Sequence, residues 1–155
     1  EFSAADYRAA WQRLRRLADE AGNPRLYSRL ILMGGSLEPR SGRDWRDYYP
    51  GRKHIHVLGW DVYNLAERGY QDPVEMYRRV IQVSKNEKRP FAIAETGGYL
   101  VGGDTGSKRA AWLRSMTRHL TANKALWVAY FDINWPSGDF RLLDEPSISA
   151  WRDFC

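Results

Sequence analysis

Side chains that could perform chemistry follow four apolar segments of the sequence. They are carboxylic acids, a phenol, indoles and amides: Glu38 after the first segment; Trp60, Asp61, Tyr63 and Asn64 after the second; Glu95 after the third; Asp132, Asn134 and Trp135 after the fourth. Carboxyl groups beside aromatic rings suit sugar chemistry, because glycoside hydrolysis uses two carboxyl groups that flank the scissile bond, and sugar rings stack on aromatic faces. Phosphoryl transfer would instead need cations, and Lys and Arg are largely absent from these positions.

The apolar segments alternate with signals for helices. Residues 3–21 place apolar side chains at three- and four-residue spacing, with Ser3 near the start and Gly22 as the stop. Strands are predicted within 25–35, 54–64, 89–98 and 125–135, and further helices begin near Pro73, Ser107 and Pro146. Helices between strands imply parallel strands joined by crossovers. The sequence therefore predicts a single α/β domain over residues 1–155.

The ends of parallel strands should bring the candidate residues together. In such a sheet or barrel, the C-terminal strand ends and the loops after them gather on one face, which holds the active site. We therefore predict that one rim collects Trp60, Asp61, Tyr63, Glu95, Asp132 and Trp135. Structural roles stay open at this point, since Glu95 could cap backbone amides or pair with an arginine, and the aromatic rings could pack in the core.

Other polar residues indicate neither a metal nor a cofactor. His54 and His56 alternate as on a strand and could suit a metal, but their position at the start of a strand favours ordinary surface or core roles. The glycine-rich segment 97–109 lacks the spacing of a phosphate-binding loop. Arg109 and His119 fall on a predicted helix without a partner constellation. We predict no metal and no cofactor.

The composition bounds the possible partners. The chain has 155 residues, and no apolar run approaches the roughly 20 residues of a membrane span, so we expect no membrane partner. Lys and Arg outnumber Asp and Glu by 24 to 19, but the excess is spread out. We expect it to form solvated helix faces rather than a nucleic-acid site. Cys155, the single cysteine, excludes an internal disulfide bond.

An ordered set of short motifs resembles a known enzyme family. The succession DYYPG, GWDVYN, PFAIAETG, RAAWLRSM, ALWVAYFDIN and DFRLLDEPSISAW is similar to the C-terminal half of the (β/α)8-barrel retaining glycoside hydrolases of clan A, in particular the mannanase-like family 26. The resemblance covers nearly the whole chain. It implies half of a (β/α)8 barrel, four parallel strands with flanking helices that correspond to strands five to eight.

The resemblance also implies roles for the site residues. Glu95 takes the position of the nucleophile in a double displacement on a β-linked polysaccharide, mannan-like or glucan-like. Tyr63 is the candidate to donate a hydrogen bond to Glu95, and Trp135 would be a stacking platform for the sugar. The substrate-binding residues implied in this way are Trp60, Asp61, Tyr63, Asp132 and Trp135.

The general acid/base of this family is expected outside these residues. It ends strand four, before the helix at residues 3–21, and Glu38 has a Pro39-Arg40 context unlike the acid/base motif. We therefore expect a fragment that is poorly active alone. Expected partners are a carbohydrate and either the missing N-terminal half-barrel or a second copy, because an open sheet leaves edges and an apolar face to cover.

Two alternatives to a catalytic fragment stay open. The chain could be a non-catalytic carbohydrate-binding or self-assembling half-barrel module, or a complete small α/β binding domain outside this family. Secretion is an open expectation, since residues 1–155 contain no recognisable signal peptide and Glu1-Phe2 could be an internal start.

Overall fold

The helices begin close to the positions that the sequence predicts. The computed structural model describes residues 3–65 and 69–155, and its helices are α1 (Ala4–Glu20), α2 (Pro73–Glu87), α3 (Ser107–Ala122) and α4 (Glu145–Arg152). Ser3 caps α1 through reciprocal hydrogen bonds with Asp6, and the Asp72 side chain caps α2 ahead of Pro73. None of the described helices has the length and apolar character that crossing a membrane requires.

Four parallel strands form the main sheet. They are β1 (Arg29–Met33), β2 (Val57–Asn64), β3 (Phe91–Gly98) and β4 (Val128–Tyr130), and they lie side by side in chain order. Short 3-10 turns connect β1 to β2, whereas α2 and α3 connect the later pairs. The predicted α/β architecture of parallel strands and helical crossovers is confirmed.

One face of the sheet packs against the helices. The core on this side consists of fully buried residues from strands and helices: Leu30, Leu58, Trp60, Ile93, Tyr77, Leu113 and Met116. Because successive residues of a strand point to opposite faces, Ile31 and Gly59 lie on the other side of the sheet. We call this other side the inner face.

The inner face is open over β1. Ile31 and Met33 are 47% and 50% exposed. The Arg29 guanidinium lies 4.5 Å from the centre of the Trp127 ring, a contact that spans the two strands between β1 and β4. A Cβ atom at Gly59 would come within 2.8 Å of Ile31 Cγ1, so the glycine leaves the room that Ile31 occupies.

The fourth strand is shorter than the sequence predicts. Within 125–135, only Val128–Tyr130 belongs to the main sheet. Asn134–Trp135 (β5) instead pairs antiparallel with Gly138–Asp139 (β6) in a separate hairpin. The apolar and aromatic residues continue through both segments, so their pattern does not mark the break between β4 and β5.

The two histidines lie ahead of β2 rather than on it, so the predicted start of this strand at His54 is wrong. His54 ends a 3-10 turn, Arg52–His54, and the Nδ1 atom of His56 accepts a hydrogen bond from the Ser28 amide at 3.0 Å. Burial, with the charges of nearby arginines, lowers the pKa of His56. His56 is therefore a neutral structural residue at neutral pH.

Arg109 joins the C-terminal part of the fold. Its side chain is 1% exposed, forms an ion pair with Asp144, and donates to Ser147 Oγ at 2.9 Å and to the Arg141 carbonyl at 3.1 Å. These bonds tie α3 to α4 and to the segment that follows β6. The prediction that Arg109 has no partner constellation is wrong; Arg141, Asp144 and Ser147, which it contacts, lie more than 30 residues away in sequence.

Candidate functional site

An irregularity in β3 decides which residues reach the inner face. Trp60 pairs with Ile93, but the next residue of β2, Asp61, pairs with Glu95, so Ala94 is an extra residue in β3. Side chains alternate along a strand, and one extra residue reverses the faces of all that follow. Glu95 therefore lies on the same face as Asp61, whereas Thr96 is buried against Tyr77 on the helix side.

The Tyr63 hydroxyl donates a hydrogen bond to Glu95 Oε2 across the ends of β2 and β3. Burial, followed by the hydrogen bond to Glu95, raises the pKa of the Tyr63 phenol. The phenol is thus protonated at neutral pH and acts as a donor to the carboxylate. In the part of the chain that the structure describes, no arginine or lysine forms an ion pair with Glu95 and no backbone amide donates to its carboxyl group, so neither of its open structural roles is observed.

Asp61 pairs with Glu95 across β2 and β3, and one of its carboxyl oxygens is without a partner among the described residues. Burial, with the charge of Glu95 as the second cause, raises the pKa of Asp61 to about 6. Its Oδ1 atom is buried and has no hydrogen-bond partner among the described residues. Such an acceptor is costly to leave unsatisfied, which makes Asp61 a candidate binding residue.

Aromatic rings surround the Tyr63 ring on the inner face. The ring centres of Phe131 and Phe140 lie 5.5 and 5.7 Å from that of Tyr63, and both rings stand edge-on to it. Phe140 is 2% exposed. The sequence alone does not single out either phenylalanine, because each belongs to an aromatic run that is equally typical of an ordinary core.

The two predicted site residues after β4 have different surroundings. Trp135 in the hairpin is 53% exposed, and its ring centre lies 5.9 Å from that of Phe131. Asp132 accepts a hydrogen bond from the Leu142 amide at 2.7 Å, which fastens the chain after the hairpin. Trp135 therefore has a ring available for contact, whereas one Asp132 oxygen has a structural task.

Trp60 is not at the site. Its side chain is fully buried on the helix side of the sheet, and its ring centre lies 6.0 Å from that of Trp45. This position corrects the expectation that Trp60 contacts substrate. The strand end was identified correctly, but neighbouring residues in a strand face opposite sides, and the apolar run around Trp60 did not indicate which side would be inner.

Each other described glutamate has a partner away from Glu95. Glu38 pairs with Arg79 of α2 at 3.0 Å, which removes it as a candidate acid beside the site. The remaining glutamates and their partners are Glu20 with Arg16, Glu75 with Arg78, Glu87 with Tyr49, and Glu145 with Arg152. Over residues 3–65 and 69–155, no cluster of three or more His, Cys, Asp or Glu side chains could hold a metal ion.

Comparisons of sequence give no relative: no protein-family profile and no curated protein matches the chain. Comparisons of structure do. The chain superposes on a family 26 β-mannanase from Bacteroides ovatus with a TM-score of 0.63 and 16% identity, over 99% of this chain and 43% of that one. It also matches the catalytic domain of a family 26 endo-β-1,4-mannanase from Bacillus sp. JAMB-750, with a TM-score of 0.65 and 15% identity, over 98% and 44%.

A third match agrees with the first two. A double mutant of an endo-β-1,4-mannanase from Cellulomonas fimi gives a TM-score of 0.63 and 17% identity, over 99% of this chain and 35% of that one. The chain thus spans less than half of the length of each solved structure. At this level of identity the likeness establishes the fold. This chain has the fold of half of a (β/α)8 barrel, as found in mannanases of glycoside hydrolase family 26.

Proposed function

We propose that this chain is the nucleophile-bearing half of a retaining glycoside hydrolase that acts on a β-linked polysaccharide, mannan-like or glucan-like. The observation that carries the proposal is the hydrogen bond from the Tyr63 hydroxyl to Glu95 at the C-terminal ends of adjacent parallel strands. That end of a (β/α)8 barrel holds the active site. The likeness to mannanase structures supports the same reaction class.

The reaction proceeds by double displacement. One Glu95 carboxylate oxygen attacks the anomeric carbon, the bond from that carbon to the leaving oxygen breaks, and a second carboxyl group protonates the leaving oxygen. Water then attacks the anomeric carbon of the glycosyl ester, gives a proton to the second carboxyl group, which the first step left ionised, and releases the Glu95 carboxylate. The Tyr63 hydroxyl donates to Oε2 and fixes the orientation of the carboxylate for attack.

Neighbouring residues bind the sugar. Asp61 has a buried, unpartnered Oδ1 atom next to Glu95, and we assign it to a hydroxyl group of the sugar that is attacked. Trp135 is exposed on the hairpin and offers its ring for stacking. Asp132 retains one oxygen for a sugar hydroxyl while the other holds the Leu142 amide.

We assign the second carboxyl group to a complementary half-barrel. All other described glutamates are engaged elsewhere, and Glu38 is held by Arg79. Among the described residues, no strand pairs with the outer edges of β1 and β4, and Ile31 and Met33 are half exposed on the inner face. A partner with four parallel strands would pair with both edges and cover this face. It is either a further part of a longer chain or a second copy of this one.

Labelling of the nucleophile tests the reaction. A mechanism-based fluorosugar should form a covalent ester with Glu95 in any longer, active form of the protein, and mass spectrometry of peptides locates it. We expect Glu95→Gln to lower kcat by about 10⁴-fold or more, and Glu38→Gln, a matched control, to leave it unchanged. A label on another residue, together with full activity of Glu95→Gln, would sink the assignment.

The open inner face also favours a non-catalytic, self-assembling carbohydrate module. Titration of β-linked oligosaccharides against the wild type, Glu95→Ala and Trp135→Ala separates the two functions. A non-catalytic module binds the oligosaccharides equally well without Glu95 and hydrolyses none of them in any form of the protein. Trp135→Ala weakens binding whether the chain is a module or part of an enzyme. The mass in solution, by light scattering, tells whether the chain pairs with itself, because a homodimer has twice the 18.0 kDa of one chain.

A further inference from the structure

Three aromatic rings form a closed triangle beside Glu95. Tyr63, Phe131 and Phe140 stand pairwise edge-to-face, with ring-centre distances of 5.5 Å for Tyr63 and Phe131 and 5.7 Å for the other two pairs. Edge-to-face contact is a favoured arrangement of aromatic rings, worth about 0.5–1.5 kcal/mol for each pair beyond the area buried. The Tyr63 ring therefore has a preferred position set by two neighbours.

Only one of the three rings carries a polar group. The hydroxyl of Tyr63 lies at the far end of its ring, so any rotation about the bond between Cα and Cβ moves it by several ångströms. Rings that fix the direction of the Tyr63 side chain also fix where its hydroxyl meets Glu95. We propose that Phe131 and Phe140 are positioning residues for Glu95, which act through Tyr63; this inference rests on the proposed function.

Phe140 is itself held from several sides. Its amide donates to the Ile133 carbonyl at 3.0 Å, and its carbonyl accepts from the Tyr130 hydroxyl at 2.8 Å. A Cβ atom at Gly97 would lie 3.1 Å from Phe140 Cδ1, so the absence of a side chain there lets the ring lie against β3. A buried ring with these restraints is a rigid support rather than a mobile neighbour.

The triangle also connects the site to the hairpin. The Trp135 ring stands edge-on to Phe131 with ring centres 5.9 Å apart, and Phe131 contacts Tyr63 in turn. Phe131 therefore lies between the ring that we offer to the sugar and the ring whose hydroxyl donates to Glu95.

Carbon-13 labelling of the tyrosine Cζ atoms tests the proposal in this chain without any assay of activity. Tyr63→Phe identifies the Tyr63 signal, and Glu95→Ala gives the signal of a Tyr63 phenol that has lost its acceptor. We expect Phe131→Leu and Phe140→Leu to move the signal towards that of Glu95→Ala and to speed the exchange of the hydroxyl proton. Phe91→Leu is the matched control, because Phe91 is also buried, 3% exposed, but lies in the helix-side core.

The outcomes separate positioning from general loss of structure. Movement of the Tyr63 signal in the Phe131 and Phe140 variants but not in Phe91→Leu supports the proposal. An unmoved signal in both, or an equal movement in all three variants, overturns it. If Phe140→Leu does not fold, Phe131→Leu carries the same test from a less buried position. Labelling of Glu95 by a fluorosugar is independent of this result, so the proposed function can stand when the positioning role fails.

Discussion

A carboxyl group that is costly to ionise makes the stability of this protein depend on pH. The pKa of Asp61 is raised to about 6 in the folded chain, by burial and then by Glu95, from an ordinary value of 3.8. Between these values the folded chain binds more protons than the unfolded chain. Asp61 therefore favours folding at low pH, and this contribution is lost as the pH rises from about 4 to about 6.

We predict that the free energy of unfolding falls with pH in the wild type relative to Asp61→Asn. The difference between the two should change by about 1–2 kcal/mol from pH 4 to pH 7, since solvent screens part of the effect at a half-buried group. Urea unfolding at each pH measures it. Glu95→Gln should reduce the change by removing the neighbouring charge, and an identical pH profile for wild type and Asp61→Asn would contradict the prediction.

At the scale of single residues, the sequence predicts which polar residues lie at the strand ends better than it predicts the contacts that each side chain makes. Glu95, Asp61 and Tyr63 are polar residues at strand ends, and the topology of parallel strands brings them together as expected. The predicted position of Trp60 at the site is wrong because a continuous apolar run does not indicate which side chains face the inner side of the sheet. Arg109 is missed because its partners are distant in sequence, and no local pattern indicates a buried ion pair.

At the scale of elements, the helices are predictable because their signals are local. Ser3 with Asp6, and Asp72 with Pro73, satisfy or replace the free backbone amides at a helix start, and the members of each pair lie within three residues of each other in sequence. The extra residue in β3 and the hairpin of β5 and β6 have no such signal. Both depend on pairing with a second strand, which the sequence of one strand does not contain.

A glycine in β3 sets the space for the aromatic triangle, and its substitution should be costly. In Gly97→Ala the new Cβ atom would lie 3.1 Å from Phe140 Cδ1 and 3.6 Å from the Phe131 carbonyl oxygen, and neither atom belongs to a freely moving side chain. We expect a loss of about 1–3 kcal/mol of stability from overpacking, measured by urea unfolding.

Gly35→Ala, in the 3-10 turn after β1, is the matched control for Gly97→Ala. No atom lies within 4 Å of the Cβ position at Gly35, so the same substitution should change stability by less than about 0.5 kcal/mol. A loss of stability in Gly97→Ala as small as that expected for Gly35→Ala would mean that the packing around Gly97 tolerates an added methyl group. The rigid support assigned to Phe140 would then be wrong.

At the scale of the whole molecule, one buried cation holds the C-terminal helix to the rest. Arg109 is 1% exposed and its partner Asp144 only 15% exposed, so removal of the cation leaves a carboxylate without compensation. Burial opposes ionisation of Asp144, but hydrogen bonds from Ser147 and Arg109 outweigh it and lower the pKa of the carboxyl group. We expect Arg109→Met to cost about 3–5 kcal/mol.

The same helix provides the control for Arg109. Arg114 pairs with Asp153 at 3.6 Å, with side chains 47% and 64% exposed, and Arg114→Met should cost less than about 1 kcal/mol. Calorimetric melting of both variants measures the contrast. Similar melting temperatures for the two variants would show that Arg109 contributes no more than a surface pair.

The extra residue in β3 decides which side chains of this strand share a face of the sheet. Ile93 and Thr96 both face the helices although three positions separate them, which an uninterrupted strand cannot achieve. If the side chains alternated without interruption from Ile93, Glu95 would face the Tyr77 side of the sheet and Thr96 would face the inner side. An alignment guided by hydrophobicity alone would therefore be out of step by one residue at Glu95. Insertions and deletions in the surface loops do not change the face on which a strand side chain lies, so variation in chain length should collect there and spare the interval from Ile93 to Thr96.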